Sequence, residues 1–368
     1  MTHVVPLVNL SRQQAQIADA IREGFNRVIA ENSFILGPQV QEFEEAWARY
    51  CGAASAVGVG NGTDAIELAL RSAGVGRGDE VILPANTFVA TAGAVVRAGA
   101  GVVLADCDDN FLVSPQEIAK KMTSRTRAVL GVHLYGQAAP MEIIRDEIGD
   151  NVVLIEDMAQ AQGARRLGRR AGSLGDIAAT SFYPGKNLGA YGDAGALMTS
   201  SEEYAEMAAK LRNHGGTQRY DHPVIGFNSR LDSLQAVVLS AKLNLLDEWN
   251  RQRQDAAALY DQLLADIDEV VPPKVAAGNE HVFHLYVIRV AQRDRVLSRL
   301  HSAGVGAAIH YPTPVHLLPA YAGLGHEVGD FPCAEHMAGE ILSLPIYPGI
   351  THDEQAYVAD QLRIAVGR

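Results

Sequence analysis

Apolar residues recur at helical spacing near the N-terminus of the chain. Residues 11–32 predict an amphipathic helix, because one face collects Ile17, Ile21, Phe25, Val28 and Ile29. Ser11 stands where a cap would start this helix. A second helix is predicted to begin at Pro38, since proline is favoured in a first turn. Its buried face is expected to carry Val40, Phe43, Trp47 and Tyr50.

Beyond residue 51 the pattern changes to short apolar runs that alternate with helical stretches. The runs cover residues 56–59, 81–83, 102–105, 128–132, 152–155, 177–182 and 194–198. They are rich in Val, Ile and Ala with little polar alternation, which is typical of strands buried on both faces. The pattern therefore predicts an α/β fold with a mainly parallel central sheet wrapped by helices. In such sheets ligands bind at the carboxyl ends of the strands.

The last third of the chain predicts a smaller α/β unit. A long helical stretch over residues 231–264 leads into it, followed by a strand at 283–290. Further helices are predicted at 293–303 and 331–342, with a proline-rich loop at 311–319 between them. We expect three parts: an N-terminal segment 1–34 that packs with the small domain, a large domain 35–245 built on the central sheet, and a small C-terminal domain 246–368.

Composition narrows the class of function. The 368 residues carry a formal net charge of −12, which argues against non-specific nucleic-acid binding. Three cysteines (Cys51, Cys107 and Cys333) lack metal-ligand spacing and cannot all pair, so no metal site is predicted and a reducing, cytoplasmic setting is expected. The N-terminus lacks the pattern of a signal peptide, and no apolar run is long enough to span a membrane.

Lys186 is the lysine that the sequence distinguishes from the others. Lys120, Lys121, Lys210, Lys242 and Lys274 lie in polar helical stretches or a loop and look ordinary. Lys186 lies in S-F-Y-P-G-K-N-L-G, between Gly185 and Gly189 and just after an apolar strand. A lysine amine can condense with a carbonyl, which is the linkage that pyridoxal phosphate (PLP) enzymes use. The loop alone does not decide between a Schiff-base lysine and a lysine without a catalytic role.

The stretch V-G-V-G-N-G-T-D-A follows a predicted strand and opens a helix. Glycines let backbone amides approach an anion, and a helix N-terminus adds partial positive charge, so Gly62 and Thr63 could cradle a phosphate. The spacing G-x-G-x-G is not the dinucleotide-binding pattern. A tight turn capped by Thr63 or Asp64 explains the local sequence equally well.

Three further residues lie at or just after strand ends. Asp157, after Glu156, follows the fifth run, where a carboxylate would face the ligand crevice and could keep a pyridine nitrogen protonated. Ser181 could reach a phosphate, and Phe88 could cover a flat ring. Each has a structural alternative: a turn cap for Asp157, a backbone bond for Ser181 and a core position for Phe88. An anion cradle, an aromatic residue, an acid and a glycine-flanked lysine nevertheless occur in the order typical of PLP enzymes with the aspartate-aminotransferase-type fold.

Ordered motifs along almost the whole chain resemble the DegT/DnrJ/EryC1/StrS family of PLP-dependent nucleotide-sugar aminotransferases. The motifs include G-N-G-T-D-A, G-D-E-V-I-L-P-A-N-T-F-V-A-T, V-H-L-Y-G-Q, I-E-D-M-A-Q-A-Q-G-A, S-F-Y-P-G-K-N-L-G, N-S-R-L-D-S-L-Q-A and I-H-Y-P-T-P-V-H. The last motif and the lysine motif most resemble enzymes that aminate C3 of a nucleotide-linked 3-keto-6-deoxyhexose. The resemblance implies fold type I.

The resemblance also implies a role for each matching position. Lys186 would carry PLP covalently as an internal aldimine and move the proton. Asp157 would bind the ring nitrogen, Gln160 would lie on the ring-hydroxyl side, and Phe88 would stack on the ring. The remaining residues would hold the phosphate (Gly62, Thr63, Ser181 and, from a neighbouring subunit, Asn228) or face the sugar (Tyr183, His310, Tyr311). Arg230 would support the interface or an anionic group.

The implied reaction transfers an amino group from L-glutamate to a keto sugar linked to a nucleotide, most simply dTDP, in a homodimer with shared active sites. C4 amination and a UDP-linked 3-keto substrate remain alternatives. Two other classes compete. A dinucleotide-binding oxidoreductase would need a different glycine spacing and gives Lys186 no role. A non-catalytic regulator with this fold would be expected to lose Lys186 or Asp157, and both are present.

Overall fold

Strands and helices alternate over the larger part of the chain in the computed structural model, which describes residues 4–367. Residues 1–3 of the predicted segment 1–34 lie outside the described residues. The helices of this part are α1 (Ser11–Glu31), α2 (Pro38–Cys51), α3 (Gly62–Ser72), α4 (Val89–Ala98), α5 (Pro115–Lys121), α6 (Met141–Ile148), α7 (Glu202–Leu211) and α8 (Ser233–Leu243). The strands are β1 (Ser55–Val59), β2 (Glu80–Pro84), β3 (Gly101–Ala105), β4 (Thr126–Val132), β5 (Val153–Asp157), β6 (Arg165–Arg166), β7 (Arg169–Arg170), β8 (Ile177–Ser181) and β9 (Gly195–Thr199).

Between residues 246 and 367, the C-terminal part has four more α-helices and four more strands. The helices are α9 (Leu246–Leu263), α10 (Arg293–Ser302), α11 (Pro332–Glu340) and α12 (His352–Val366). The strands are β10 (Val270–Val271), β11 (Asn279–Glu280), β12 (Tyr286–Val290) and β13 (Ile341–Leu344). Strands β10, β12 and β13 form a small antiparallel sheet, and β11 adds to the β6–β7 hairpin.

Seven strands form the central sheet, in the order β1–β9–β8–β5–β4–β2–β3. Strand β9 runs antiparallel to both of its neighbours, and the other pairs are parallel. The mainly parallel sheet predicted from the sequence is therefore confirmed. The carboxyl ends of β4, β5 and β8 lie side by side, because Val132 pairs with Asp157 and Asp157 pairs with Ala179.

Both faces of the sheet are buried, as the apolar runs indicate. Leu83 of β2 packs with Leu68 of α3 on one face, whereas its neighbour Ile82 packs with Ile144 of α6 on the other. Adjacent strand residues point to opposite faces, so a strand covered on both sides must be apolar throughout. The resulting rigid edge positions the residues that follow each strand.

Several sequence expectations about where helices begin and end differ from the structure. The stretch 231–264 is two helices, α8 and α9, separated by Asn244 and Leu245. The helix expected at 331–342 ends at Glu340, because Ile341 begins β13 and pairs with Arg289 of β12. Ser11 is not a cap: the side chain of Asn9 accepts its N–H at 3.1 Å, and Leu10 is the residue before the helix.

The N-terminal residues contact several parts of the chain. Val5 forms a bridge with Val305, and Arg12 pairs with Glu354 at 2.6 Å. Farther along, Ile17 and Ile21 of α1 pack with Val238 of α8 and Trp249 of α9. The division into segments 1–34, 35–245 and 246–368 stays a prediction. Between residues 4 and 367, no helix has the combined length and apolar character needed to cross a membrane.

Candidate active site

Asp157 is the last residue of β5 and lies at the carboxyl edge of the sheet. Its carboxylate is buried, and each oxygen has one donor: the Thr91 hydroxyl donates to Oδ2 at 2.8 Å, and the Ala159 amide donates to Oδ1 at 3.2 Å. Thr91 is fixed in turn by Thr87, whose hydroxyl lies 2.8 Å away. These contacts hold the carboxylate in one orientation at the edge where ligands bind in such sheets.

Glu156, one residue earlier, points to the opposite face and is fully buried. Its Oε1 accepts the amides of Leu174 at 2.7 Å and Gly175 at 2.9 Å, and its Oε2 accepts the Gly172 amide at 2.7 Å and His133 Nε2 at 2.9 Å. His133 Nδ1 accepts the Ala139 amide, so Nε2 carries the proton. Glu156 therefore fastens a loop behind the strand, and Asp157 is the acid available at the strand end.

Lys186 lies in the loop after β8. Its amide donates to the Tyr183 carbonyl at 2.8 Å, which closes a tight turn, and a Cβ at Gly189 would lie 2.4 Å from the Pro184 carbonyl oxygen. The glycine after the lysine is therefore required by close packing. Asn187 is buried and bonds to Asn250 at 2.8 Å and to His284 at 3.1 Å, which fixes the backbone next to the lysine.

Burial lowers the pKa of the Lys186 amine to about 8, and the negative charge of Asp157 opposes that shift. Desolvation disfavours an ammonium ion, whereas a nearby carboxylate favours it. The two side chains are therefore close enough for their charges to interact. An amine with this pKa is partly unprotonated near neutral pH, which is the state that can act as a nucleophile or a base.

The expectation that Lys242 is ordinary was wrong. It is 5 % exposed, and its Nζ donates to the Gly189 carbonyl at 2.5 Å and lies 5.1 Å from the centre of the Tyr191 ring. Burial lowers its pKa to about 8 as well. Lys242 on α8 thus supports the far end of the Lys186 loop.

Gly62 and Thr63 begin α3, as the cradle hypothesis requires. The cap is Asn61, whose side chain accepts the Asp64 amide at 2.9 Å, so a cap at Thr63 or Asp64 is wrong. First-turn amides have no carbonyl within their own helix. A Cβ at Gly62 would lie 2.5 Å from Ser181 Cβ, so the structure brings the cradle against the end of β8. Ser181 Oγ accepts the Tyr183 amide at 3.2 Å.

Phe88, Gln160, His310 and Tyr311 form a second connected group. The rings of Phe88 and Tyr311 have centroids 5.0 Å apart and are tilted by 32°. Gln160 Nε2 donates to the Tyr311 hydroxyl at 3.0 Å, and Gln160 Oε1 accepts the Tyr135 amide at 2.7 Å. Phe88 is 48 % exposed, so the core alternative for this residue is wrong.

His310 is held beside this group in a neutral form. Its Nδ1 lies 2.8 Å from Ser343 Oγ, and its carbonyl accepts the Tyr135 hydroxyl. Burial, together with the positive charge of Lys186, lowers the pKa of His310 to about 4. A neutral imidazole near an amine can hydrogen-bond to a polar ligand without repelling the ammonium form of Lys186.

Tyr183 and Asn228 lie at the periphery of the single chain. Tyr183 is 59 % exposed. Asn228 is exposed and forms a bridge with Asn213, to which Arg230 also donates at 3.2 Å. The neighbouring Ser229 accepts the Gly60 amide at 3.1 Å, so this segment adjoins the turn that leads into the cradle.

Thr91, Tyr135 and Asn187 were not singled out from the sequence. Thr91 lies in the same T-F-V-A-T stretch as Phe88, one turn along α4, where a hydroxyl can reach the neighbouring strand end. Tyr135 has a φ of 60°, which turns its amide toward Gln160. No spacing rule in the sequence indicates that conformation.

The pH dependence of stability tests the environment of Lys186. Its pKa is about 8 in the folded chain and near 10.5 for a free lysine, so between these values the unfolded chain binds more protons. In the cofactor-free protein, the free energy of unfolding of wild type relative to Lys186→Met should therefore rise from pH 8 to 10.5. Urea unfolding at several pH values measures this difference, and a constant difference would contradict the lowered pKa.

Comparison with known proteins identifies the family. Residues 15–363 match the model of the DegT/DnrJ/EryC1/StrS aminotransferase family. The chain is 44 % identical over 362 residues to a "pleiotropic regulatory protein" of Geobacillus stearothermophilus, which covers 97 % of each chain. It is 42 % identical over 362 residues to the dTDP-3-amino-3,4,6-trideoxy-alpha-D-glucose transaminase of Streptomyces venezuelae, which covers 98 % of this chain and 95 % of the other.

A solved structure agrees with the fold over the full length. The crystal structure of Streptomyces venezuelae DesV in complex with a ketimine intermediate aligns with a TM-score of 0.97, 42 % identity and complete coverage of both chains. The family and the structural neighbours are PLP-dependent aminotransferases. This chain is therefore an aminotransferase and belongs to the DegT/DnrJ/EryC1/StrS family.

Proposed function

We propose that the enzyme transfers an amino group from L-glutamate to C3 of a dTDP-linked 3-keto-6-deoxyhexose. The products are the 3-amino-3,6-dideoxyhexose nucleotide and 2-oxoglutarate. The observation that carries the proposal is the Lys186 amine, with its pKa lowered to about 8, interacting with the buried Asp157 at the carboxyl edge of the sheet. The similarity to a dTDP-3-amino sugar transaminase supports the choice of substrate class.

The residues present fit PLP. Gly62 lets the start of α3 approach Ser181 closely, since a Cβ there would lie 2.5 Å from Ser181 Cβ. The N-terminus of α3 and Ser181 are therefore adjacent, and a helix N-terminus suits a phosphate. Thr63 and Ser181 add hydroxyl donors, and Asp157 is the acid for the ring nitrogen. Phe88 would cover the ring, and Gln160 would lie near its hydroxyl. When bound, PLP supplies the electron withdrawal that makes the proton on the substrate carbon removable and carries nitrogen between the two half-reactions.

Lys186 would transfer the proton in both half-reactions. Its Nζ would hold the cofactor at rest and, once released, would accept the proton from the donor carbon. In the second half-reaction it would return a proton to the sugar carbon. A base is most effective when its pKa is near the working pH, and burial has brought this amine to about 8.

Tyr183, His310 and Tyr311 would face the sugar. Tyr311 is anchored by Gln160 and lies next to Phe88, so its hydroxyl has a fixed position beside that ring. The neutral imidazole of His310 can bond to a sugar hydroxyl without an ionic penalty. Tyr183 is exposed and would reach the substrate from the protein surface.

A substrate panel tests the reaction. The enzyme is incubated with L-glutamate and each of the dTDP- and UDP-linked 3-keto and 4-keto 6-deoxyhexoses, and the new amine is located by NMR. We expect the dTDP-linked 3-keto sugar to be used with kcat/KM at least about tenfold above the others. Amination at C4 alone would contradict the proposed amination at C3. A preference for UDP-linked sugars would contradict the proposed dTDP-linked substrate. A failure to bleach the visible band with L-glutamate would favour a regulator.

An active site formed by residues of two subunits leads to a separate prediction. In this proposal Asn228 reaches the phosphate of the neighbouring subunit, so Lys186→Ala and Asn228→Asp damage different chains of one site. Mixed dimers then contain one intact site, and random mixing should recover about a quarter of wild-type activity. Each variant alone is the control. If Asn228 served its own chain, every mixed site would carry a defect and no activity would return.

A further inference from the structure

Cys107 and Cys333 are brought together by one carboxylate. Cys107 follows β3, and Cys333 is the second residue of α11. Asp106 is buried, and its Oδ1 accepts the amides of Cys107 and Ala334, both at 2.9 Å, while its Oδ2 accepts the Cys333 amide at 2.9 Å. Asp106 therefore ties the backbone of both cysteines to the same two oxygen atoms and caps α11 across the junction between the large sheet and the C-terminal part.

The two thiols are neighbours and have different environments. Cys333 packs against the core cluster that contains Cys107. The interaction with the Cys107 side chain lowers the pKa of Cys333, although burial and the nearby aspartates oppose the shift. Cys107 is 5 % exposed, whereas Cys333 is only half-buried. Cys333 also begins a helix, where the partial positive charge favours a thiolate.

The third cysteine provides an internal contrast. Cys51 is buried in another part of the core, packed with Trp47 and Phe182, and burial raises its pKa well above the usual range. It lacks both the exposure of Cys333 and a thiol partner in the described structure. Reactivity toward oxidants follows thiolate character and exposure, so the three thiols should respond differently.

We propose that Cys107 and Cys333 form a reversible disulfide on two-electron oxidation by a hydroperoxide. The Cys333 thiolate attacks a peroxide oxygen, the O–O bond breaks, and Cys333 becomes a sulfenic acid while hydroxide leaves. The Cys107 sulfur then attacks the Cys333 sulfur, the S–O bond breaks, and the Cys107 proton leaves with that oxygen as water. Overall, two thiols and one hydrogen peroxide give one disulfide and two waters, and a dithiol reductant reverses the bond.

The disulfide would join the end of β3 to the helix that leads directly into β13. Ser343 of β13 contacts His310, so the cross-link would tie the sheet to the segment that carries His310. This modification site does not depend on the proposed sugar substrate.

Peptide mapping of the full-length holoenzyme tests the pair. Reduced protein is treated with hydrogen peroxide, the reaction is quenched in acid, free thiols are alkylated as the protein is unfolded, and peptides are analysed by mass spectrometry without reductant. We expect a peptide linking Cys107 to Cys333, loss of two of the three free thiols, and recovery with a dithiol. Over-oxidation of Cys333 without a link, a link to Cys51, or a link only between chains would overturn the proposal.

Cysteine-to-serine variants test which two thiols form the disulfide. Cys51→Ser should keep the cross-link, whereas Cys107→Ser and Cys333→Ser should each remove it. In Cys107→Ser, the Cys333 sulfenic acid has no resolving thiol and should be trapped by a dimedone probe. A trapped sulfenic acid at Cys51 instead would count against the assignment. Because the wild-type map alone decides whether the link forms, the test does not depend on any variant folding.

Discussion

Replacement of Lys186 by alanine is expected to abolish amino transfer, with kcat lower by at least about 10⁴-fold. The variant loses both the amine that would hold the cofactor and the base that would move the proton. The charge of Asp157 acts on the Lys186 amine, whereas burial alone shifts the pKa of Lys242. The measurement is a single-turnover reaction with L-glutamate, followed by the visible band of the holoenzyme.

Lys242 must be excluded as the lysine that holds the cofactor. It is the other lysine whose pKa burial lowers to about 8, and it lies near the same loop. Borohydride reduction of the wild-type holoenzyme should fix the cofactor on the peptide that contains Lys186. Lys242→Met should keep that label, because the Lys242 amine bonds to the Gly189 carbonyl. A label on Lys242, or unchanged turnover in Lys186→Ala, would refute the assignment.

The sequence predicts those site residues that are marked by a glycine at a crowded position or by the end of an apolar strand. Gly189 marks the Lys186 loop because a side chain there would collide with Pro184, and the apolar run before Asp157 marks the edge of a buried sheet. Both signals are local, so they can be read without a fold. The parallel order of the strands follows from the alternation with helices.

Other features depend on contacts between distant segments, which periodicity does not encode. Lys242 occupies an ordinary position in a helix and is buried because the Lys186 loop packs over it. Strand β13 follows α11 with no glycine or proline to separate them, and its strand conformation comes from pairing with β12. Glu156 and Asp157 are equivalent acids in the sequence, and only the facing direction of each side chain separates their roles.

Asp157→Asn is expected to reduce kcat by about 100- to 1000-fold with little loss of stability. Asparagine has the same shape: its oxygen can accept the Ala159 amide, and its NH2 group can donate to the Thr91 hydroxyl, which is able to accept, so the site should keep its form. It cannot supply the negative charge that would keep the cofactor nitrogen protonated. That charge also favours the ammonium form of Lys186, so the pKa of Lys186 should fall further in the variant. Steady-state kinetics and urea unfolding of the same preparation measure the two effects.

Glu156→Gln is the matched control, one residue away and on the other face of β5. Glu156 accepts four donors, and the amide group of glutamine would place its own N–H atoms against some of them. This change should cost about 2–4 kcal/mol of stability, since a buried charged network loses an acceptor. The folded fraction should retain cofactor binding and turnover. Comparison of the two variants therefore separates the effect of the Asp157 charge on turnover from the effect of the Glu156 hydrogen bonds on stability. The distinction fails if Asp157→Asn loses stability while its folded fraction turns over normally.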